Sequence, residues 1–215
     1  TVDGTSPRVT ITSPAAGNSS SATKNFNATV LEQNPETSGT LQLTPVGQSA
    51  TNYTLTNRSG NWGFTNLSMP DNRYTAVFMI NDSFGNMNNT EQVTFTVDTT
   101  KPAVLNASVN DSTVSSTQII QINISVTDLN RDDGSVNVSG NSGATNVSMT
   151  LLSGTASVFQ VSTSASSLGC SSDGTCTLTF AAKDAAGNLN ASVTTTITVD
   201  GTSPRVTITS PAAGN

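Results

Sequence analysis

The sequence predicts an all-β chain, two β-sandwich domains of about seven strands each, set end to end. Three observations predict it. Apolar residues alternate with Thr, Ser and Asn in runs of strand length, and no stretch carries a helical period of useful length. Clusters of Gly, Asn, Ser and Asp separate these runs at short intervals. The chain also repeats itself on two length scales.

The longer repeat is an identity. Residues 1–18, TVDGTSPRVTITSPAAGN, return unchanged as residues 198–215, an offset of 197. Chance does not produce this, so the chain reads as one period of a tandem array with the start of the next copy attached; an engineered duplication is the alternative. Inside that period lies a diverged repeat. TVDGTSPRV (1–9) resembles TVDTTKPAV (96–104), TLQL (40–43) resembles SVNV (135–138), and NDSFGN (81–86) resembles KDAAGN (183–188). TNYTLTNRSG (51–60) resembles TNVSMTLLSG (145–154) at an offset of 94, and the offset reaches 102 by NDSFGN, so the second copy holds about eight extra residues between 155 and 183. Residues 1–3 then end a preceding repeat, 4–98 form domain 1, 99–200 form domain 2, and 201–215 begin the first strand of the next copy.

The strands follow in order. In the first domain they are expected at about 7–13, 22–32, 39–45, 51–57, 61–68, 73–80 and 90–98. In the second they are expected at about 102–109, 117–128, 135–139, 144–152, 156–163, 175–183 and 192–200. VTFTV (93–97) puts Val93, Phe95 and Val97 on one face, and TTITV (195–199) does the same with Ile197 and Val199. Trp62 alternates with Phe64 and reads as core. About seven short strands per domain, joined by turn residues, indicate an immunoglobulin-like sandwich. A mucin-like disordered stalk would share the Ser/Thr content but not the regular alternation.

Composition excludes several classes of function. With no histidine, the chain has no Ser-His-Asp or Cys-His site and no His-ligated zinc. Eight basic residues scattered through a chain of net charge −6 leave no footprint for nucleic acid or anionic membrane. No apolar run approaches the roughly 18 residues of a membrane span, and the first residues read as strand rather than signal peptide. No general base, activated nucleophile or phosphate loop accompanies the carboxylates, so an enzyme is not expected.

The setting reads as extracellular. The sequon Asn-x-Ser/Thr occurs at Asn18, Asn27, Asn52, Asn57, Asn66, Asn81, Asn88, Asn106, Asn110, Asn123, Asn137, Asn146 and Asn190. N-linked glycans are one reading of these sequons; the other is that any chain rich in Asn, Ser and Thr contains them by composition. Few lysines and few charges also argue against the cytosol. Cys170 and Cys176, spaced C-S-S-D-G-T-C, then read as a local disulfide. The repeat alignment sets Cys176 at the position of Tyr74, where such sandwiches keep a tyrosine corner, so a stapled corner is expected to replace a hydrogen-bonded one.

The motif D-x-x-G-N followed by V-D-x-[TS]-x-P stands at Asp82–Asn86 with Val97–Pro102, and again at Asp184–Asn188 with Val199–Pro204. It resembles the bacterial and archaeal Ig-like (Big-type) repeats of surface adhesins and surface-layer proteins. That resemblance covers both domains and implies stiff spacers that hold something away from a cell; the dense sequons lean towards an archaeal surface protein.

Oxygen-rich cation binding is the remaining chemistry. In a sandwich of this kind the second-to-third and sixth-to-seventh loops lie at the end where the first strand begins. Asp98, Asp128 and Asp184 are thereby expected together, with Asp132 and Asp133 near, and Asp3, Glu32 and Asp82 are their equivalents in domain 1. Asp200 would serve the next copy. Three carboxylates with amide and carbonyl oxygens suit calcium, and some families of the resembling repeats bind it at such junctions. Against this, each acid also suits a strand end or turn, and the first domain's loop offers only Glu32 and Glu36.

The four-residue linkers ending in Pro102 and Pro204 allow little swing. Strands of roughly ten residues make each domain about 35 Å long. The expected function is a structural unit of a long extracellular fibre or adhesin stalk. Its expected partners are neighbouring identical repeats, other copies of the fibre and N-linked glycans. A carbohydrate- or cell-binding module is the alternative. The Thr-x-Thr runs also raise an ice-binding surface, which two-sided strands with Thr outside mimic.

Overall fold

A computed structural model describes residues 3–141 and 145–210, and of Asn66 the backbone alone. Expectations resting on residues 1–2, 144 and 211–215 lie outside the described residues, as does the Asn66 side chain. The chain is all β and divides by its contacts into two compact units. One comprises Thr1–Thr100 with Ala185–Asn188, the other Lys101–Asp184 with Leu189–Asn215.

The first unit holds β1 (Arg8–Ser13), β2 (Gly17–Ser19), β3 (Thr23–Leu31), β4 (Ser38–Pro45), β5 (Thr51–Arg58), β6 (Asn61–Ser68), β7 (Asn72–Asn81) and β8 (Met87–Val97). They pair in the order β1-β3-β6-β5-β4-β7-β8-β2. The alternation seen in the sequence becomes burial. Along β7, Tyr74, Ala76, Phe78 and Ile80 point inward, while the residues between them are half-buried. Phe26, Leu41, Leu55, Trp62 and Phe78 are fully buried, each contributing about 1.5–3 kcal/mol by leaving water. The Tyr74 and Phe95 rings stack with centroids 5.6 Å apart.

The second unit holds β9 (Ala103–Val109), β10 (Thr113–Val114), β11 (Ile119–Thr127), β12 (Arg131–Gly140), β13 (Val147–Ser148), β14 (Thr150–Leu151), β15 (Val158–Ser164), β16 (Gly174–Asp184) and β17 (Leu189–Val199). Its two sheets run β10-β17-β16-β12-β13 and β14-β15-β11-β9. Ile120, Ile122, Ile124, Phe159 and Phe180 fill the space between them.

Two features depart from seven strands per unit. Both units split the first strand: β1 and β9 pair antiparallel with β3 and β11, and then β2 and β10 pair parallel with β8 and β17. The short second pieces, GNS and TV, carry no alternation to read, and only their partner makes them strands. The single strand expected at 144–152 is two. β13 pairs with β12 in one sheet and β14 with β15 in the other, with buried Met149 between them. One continuous pattern in sequence thus serves two partners.

Candidate functional site

Asp3 precedes β1, Glu32 follows β3, and Asp82 follows β7. One carboxylate oxygen of each lies within 4.8 Å of the others. Each acid also builds its own loop. Asp82, buried, accepts at Oδ1 from the backbone N–H of Phe84 (2.9 Å) and Asn86 (2.8 Å). Its Oδ2 accepts from Asn86 Nδ2 at 2.7 Å. Burial pushes the Asp82 carboxyl up, but the Asn86 side chain and these backbone donors outweigh it and hold the group below its ordinary value. Glu32 Oε1 accepts from the backbone N–H of Gln33 and Asn34 (2.7 and 2.9 Å), and Asp3 accepts from Thr5 N–H and Asn34 Nδ2. Carboxylate oxygens keep spare lone pairs after such bonds. The cluster can therefore both shape three turns and present oxygens to one hard cation.

In the second unit one carboxylate oxygen of Asp128 lies within 4.8 Å of one of Asp184, as the loop placement predicted for that pair. Asp98, buried, accepts from Thr100 N–H at 3.1 Å. Asp128, half-buried, accepts from Asn130 N–H at 2.7 Å. Asp184, buried, ends β16 in register with Arg131 of β12. Asp132 and Asp133 are exposed on β12, where Asp133 pairs with Arg131. Asp200 is exposed and accepts from Thr202 N–H.

Two sets of residues hold the linkers, a role that sequence reasoning did not give them. Asp71, just before β7, accepts from Thr99 N–H (2.9 Å), the Thr99 hydroxyl (2.9 Å) and the Thr100 hydroxyl (2.8 Å). Asp173, just before β16, does the same for Gly201 N–H (2.7 Å) and the Thr202 hydroxyl (2.5 Å). Both carboxyls lie below their ordinary value. At Asp71, burial opposes the shift and the threonine hydrogen bonds overcome it; at Asp173 the Thr202 hydroxyl leads, followed by the Gly201 amide.

The second set is Gly-Asn-x-Asn. Asn86 Nδ2 donates to the Asp3 carbonyl (3.0 Å) and Asn88 Nδ2 to the Pro7 carbonyl (2.9 Å). Asn188, which groups with the first unit, donates to the Asp98 carbonyl at 2.7 Å. In the second unit Asn190 donates to the Pro102 carbonyl at 2.8 Å. The signal was in the sequence: Asp71/Asp173, Asn86/Asn188 and Asn88/Asn190 all recur at the offset of 102 already seen for Asp82/Asp184.

Cys170 and Cys176 are joined in a disulfide, and both are buried. They lie in the stretch between β15 and β16, which contains a 3-10 turn at Ser166–Leu168. At the equivalent corner of the first unit, the Tyr74 hydroxyl donates to the Pro70 carbonyl at 2.7 Å. The staple and the hydrogen bond thus occupy matching corners.

The sequon asparagines differ in access. Asn18, Asn52, Asn106, Asn110 and Asn146 are exposed, whereas Asn27, Asn57, Asn81, Asn88, Asn123, Asn137 and Asn190 are half-buried. Asn88 and Asn190 spend their Nδ2 on proline carbonyls, and their Oδ1 accepts from the N–H and hydroxyl of the residue two places on.

A bacterial Ig-like domain model matches residues 16–99, and a second, of group 3, matches residues 58–193. No curated protein matches the chain. A marsupial T cell receptor structure is 8% identical over 90% of this chain and 73% of that one, with a TM-score of 0.54. The fibronectin(III)-like modules of Clostridium thermocellum CbhA are 16% identical over 89% of this chain and 94% of theirs, with a TM-score of 0.46. A tetra-tandem repeat from the extending region of a large adhesion protein is 19% identical over 90% of this chain, with a TM-score of 0.41. The chain spans about half of that structure, 49%.

Proposed function

The chain belongs to the bacterial Ig-like domain family, and from that premise we propose that it is a repeat unit of a long extracellular fibre or adhesin stalk, a spacer that carries out no chemistry. The observation that carries this is the unchanged return of residues 1–18 at 198–215. A gene that copies one β-sandwich period extends a quasi-linear array whose units contact mainly their neighbours. The linker hydrogen bonds support a spacer that transmits position. Asp71 holds Thr99 and Thr100, Asn190 holds Pro102, and Pro102 fixes its own φ. The buried disulfide suits an oxidising compartment outside the cell. Electron microscopy of chains carrying one, two and four periods tests the reading. Particle length should grow in proportion to period number at constant width; compact or coiled particles would overturn it.

The binding-module alternative has less support, because Trp62 is fully buried and serves the core. A glycan-array signal abolished by altering one loop would favour it.

The Asp3, Glu32 and Asp82 oxygens support calcium as the cation this reading would place there. Thermal unfolding in calcium and in chelator tests it. A melting temperature raised by calcium and lost in Asp82→Asn supports the metal; superimposable curves assign the three acids to their turns alone.

A further inference from the structure

The outward face of the β16–β17 ladder is built of one residue type. Thr175 of β16 lies opposite Thr198 of β17, Thr177 opposite Thr196, and Thr179 opposite Thr194. Five of these six are exposed and Thr179 is half-buried. Cys176, Leu178, Phe180, Ile197 and Val199, which alternate with them, are buried in the core. On the next strand, Thr113 of β10 pairs with Thr198 and is also exposed, adding a third threonine to that rank.

Outward threonines arise from two-sided alternation alone, and the first unit shows how far that goes. The offset of 102 sets the same six positions on β7 and β8, in the same register: Arg73 opposite Thr96, Thr75 opposite Thr94, and Val77 opposite Gln92. That face accommodates a cation, an aliphatic side chain and an amide. The second unit fills every one of the six positions with threonine.

Geometry and chemistry define what such a face fits. Alternate residues of an antiparallel strand stand about 6.8 Å apart and neighbouring strands about 4.8 Å apart, so the side chains form a nearly rectangular net. One ladder carries the net, so the twist of about 20–25° between neighbouring strands enters once. β-Branching restricts χ1, which sets each hydroxyl and methyl in place before anything binds and lowers the cost of ordering them. None of the six side chains is charged, so the complementary surface is neutral. At every point of the net a hydroxyl that both donates and accepts stands beside a methyl. The prism face of hexagonal ice is neutral and repeats its oxygens on a rectangular net of closely similar dimensions.

We propose that the threonine face of β16 and β17 is an ice-binding surface. The hydroxyls join the oxygen rows of the lattice and the methyls occupy the hollows between rows. This function is additional to a spacer and does not depend on it.

The test grows ice slowly from a dilute solution of the full-length chain and measures protein in the ice and in the liquid, with thermal hysteresis as a second readout. The parent chain should be enriched in the ice. Thr177→Lys/Thr196→Lys should be rejected into the liquid at an unchanged melting temperature, whereas Thr75→Lys/Thr94→Lys in the first unit should behave as the parent. If the second-unit lysines prevent folding, Thr196→Ser is read instead, and loss of its methyl should lower the enrichment. Rejection of the parent chain, unchanged enrichment of the second-unit variant, or an equal loss from the first-unit variant overturns the proposal. Retention of the parent on microcrystalline cellulose but not in ice also overturns it and assigns the face to a glycan lattice. The spacer reading stands apart from all these results, since electron microscopy of period number reads it independently.

Discussion

Asp71 and Tyr74 flank the corner leading into β7, and each restrains a different stretch of backbone. Tyr74 holds Pro70 through its hydroxyl while its ring stacks on Phe95. Tyr74→Phe keeps the ring and removes the bond, so it should cost about 1 kcal/mol, read as a lower denaturant midpoint at unchanged slope. Asp71 and Asp173 titrate in the opposite sense from a buried, unpaired acid. Their folded carboxyls lie below the ordinary value, so between the two values the unfolded chain binds more protons than the folded one. Their contribution is therefore complete above the ordinary value of 3.8 and is lost as pH falls through the folded one. Acidification from about pH 5 to about pH 3 should lower the melting temperature less in an Asp71→Ala/Asp173→Ala variant than in the parent chain.

At the scale of elements, the stapled corner depends on a residue remote in sequence. Gly140 ends β12 against the disulfide, and a Cβ there would stand 2.2 Å from Cys170 Sγ and 2.7 Å from the Leu168 carbonyl oxygen. Neither neighbour is the free end of a flexible side chain, so Gly140→Ala should destabilise the chain by about 1–3 kcal/mol, measured by denaturant unfolding. Replacing both cysteines by serine should cost about 2 kcal/mol, the chain-entropy value for so short a loop. The cysteine spacing announced the staple, but nothing local to Gly140 announced its role. β2 and β10 were silent for a similar reason, since a strand of two or three residues has no period and exists through its partner.

For the whole molecule, accessibility separates the twelve described sequon asparagines into classes that composition could not. If the chain is glycosylated, peptide mapping of protein from a glycosylating host should find glycans at Asn18, Asn52, Asn106, Asn110 and Asn146. Asn88 and Asn190 should be unmodified, because their amides hold Pro7 and Pro102. The repeat itself carries the clearest lesson about what was legible. Alternating Val, Ile, Phe and Thr, the D-x-x-G-N turns, the Cys170–Cys176 loop and the grouping of Asp3 with Glu32 and Asp82 could be read without coordinates. All are local patterns, or follow from the topology those patterns imply. Pairing could not be read: the single run expected at 144–152 is shared between β12 in one sheet, through β13, and β15 in the other, through β14. By itself the sequence determined which stretches are able to be strands and which residues turn them. The tertiary structure alone decided which strands pair and which asparagines hold a linker, because backbone hydrogen bonds and carbonyl acceptors are supplied by residues far along the chain.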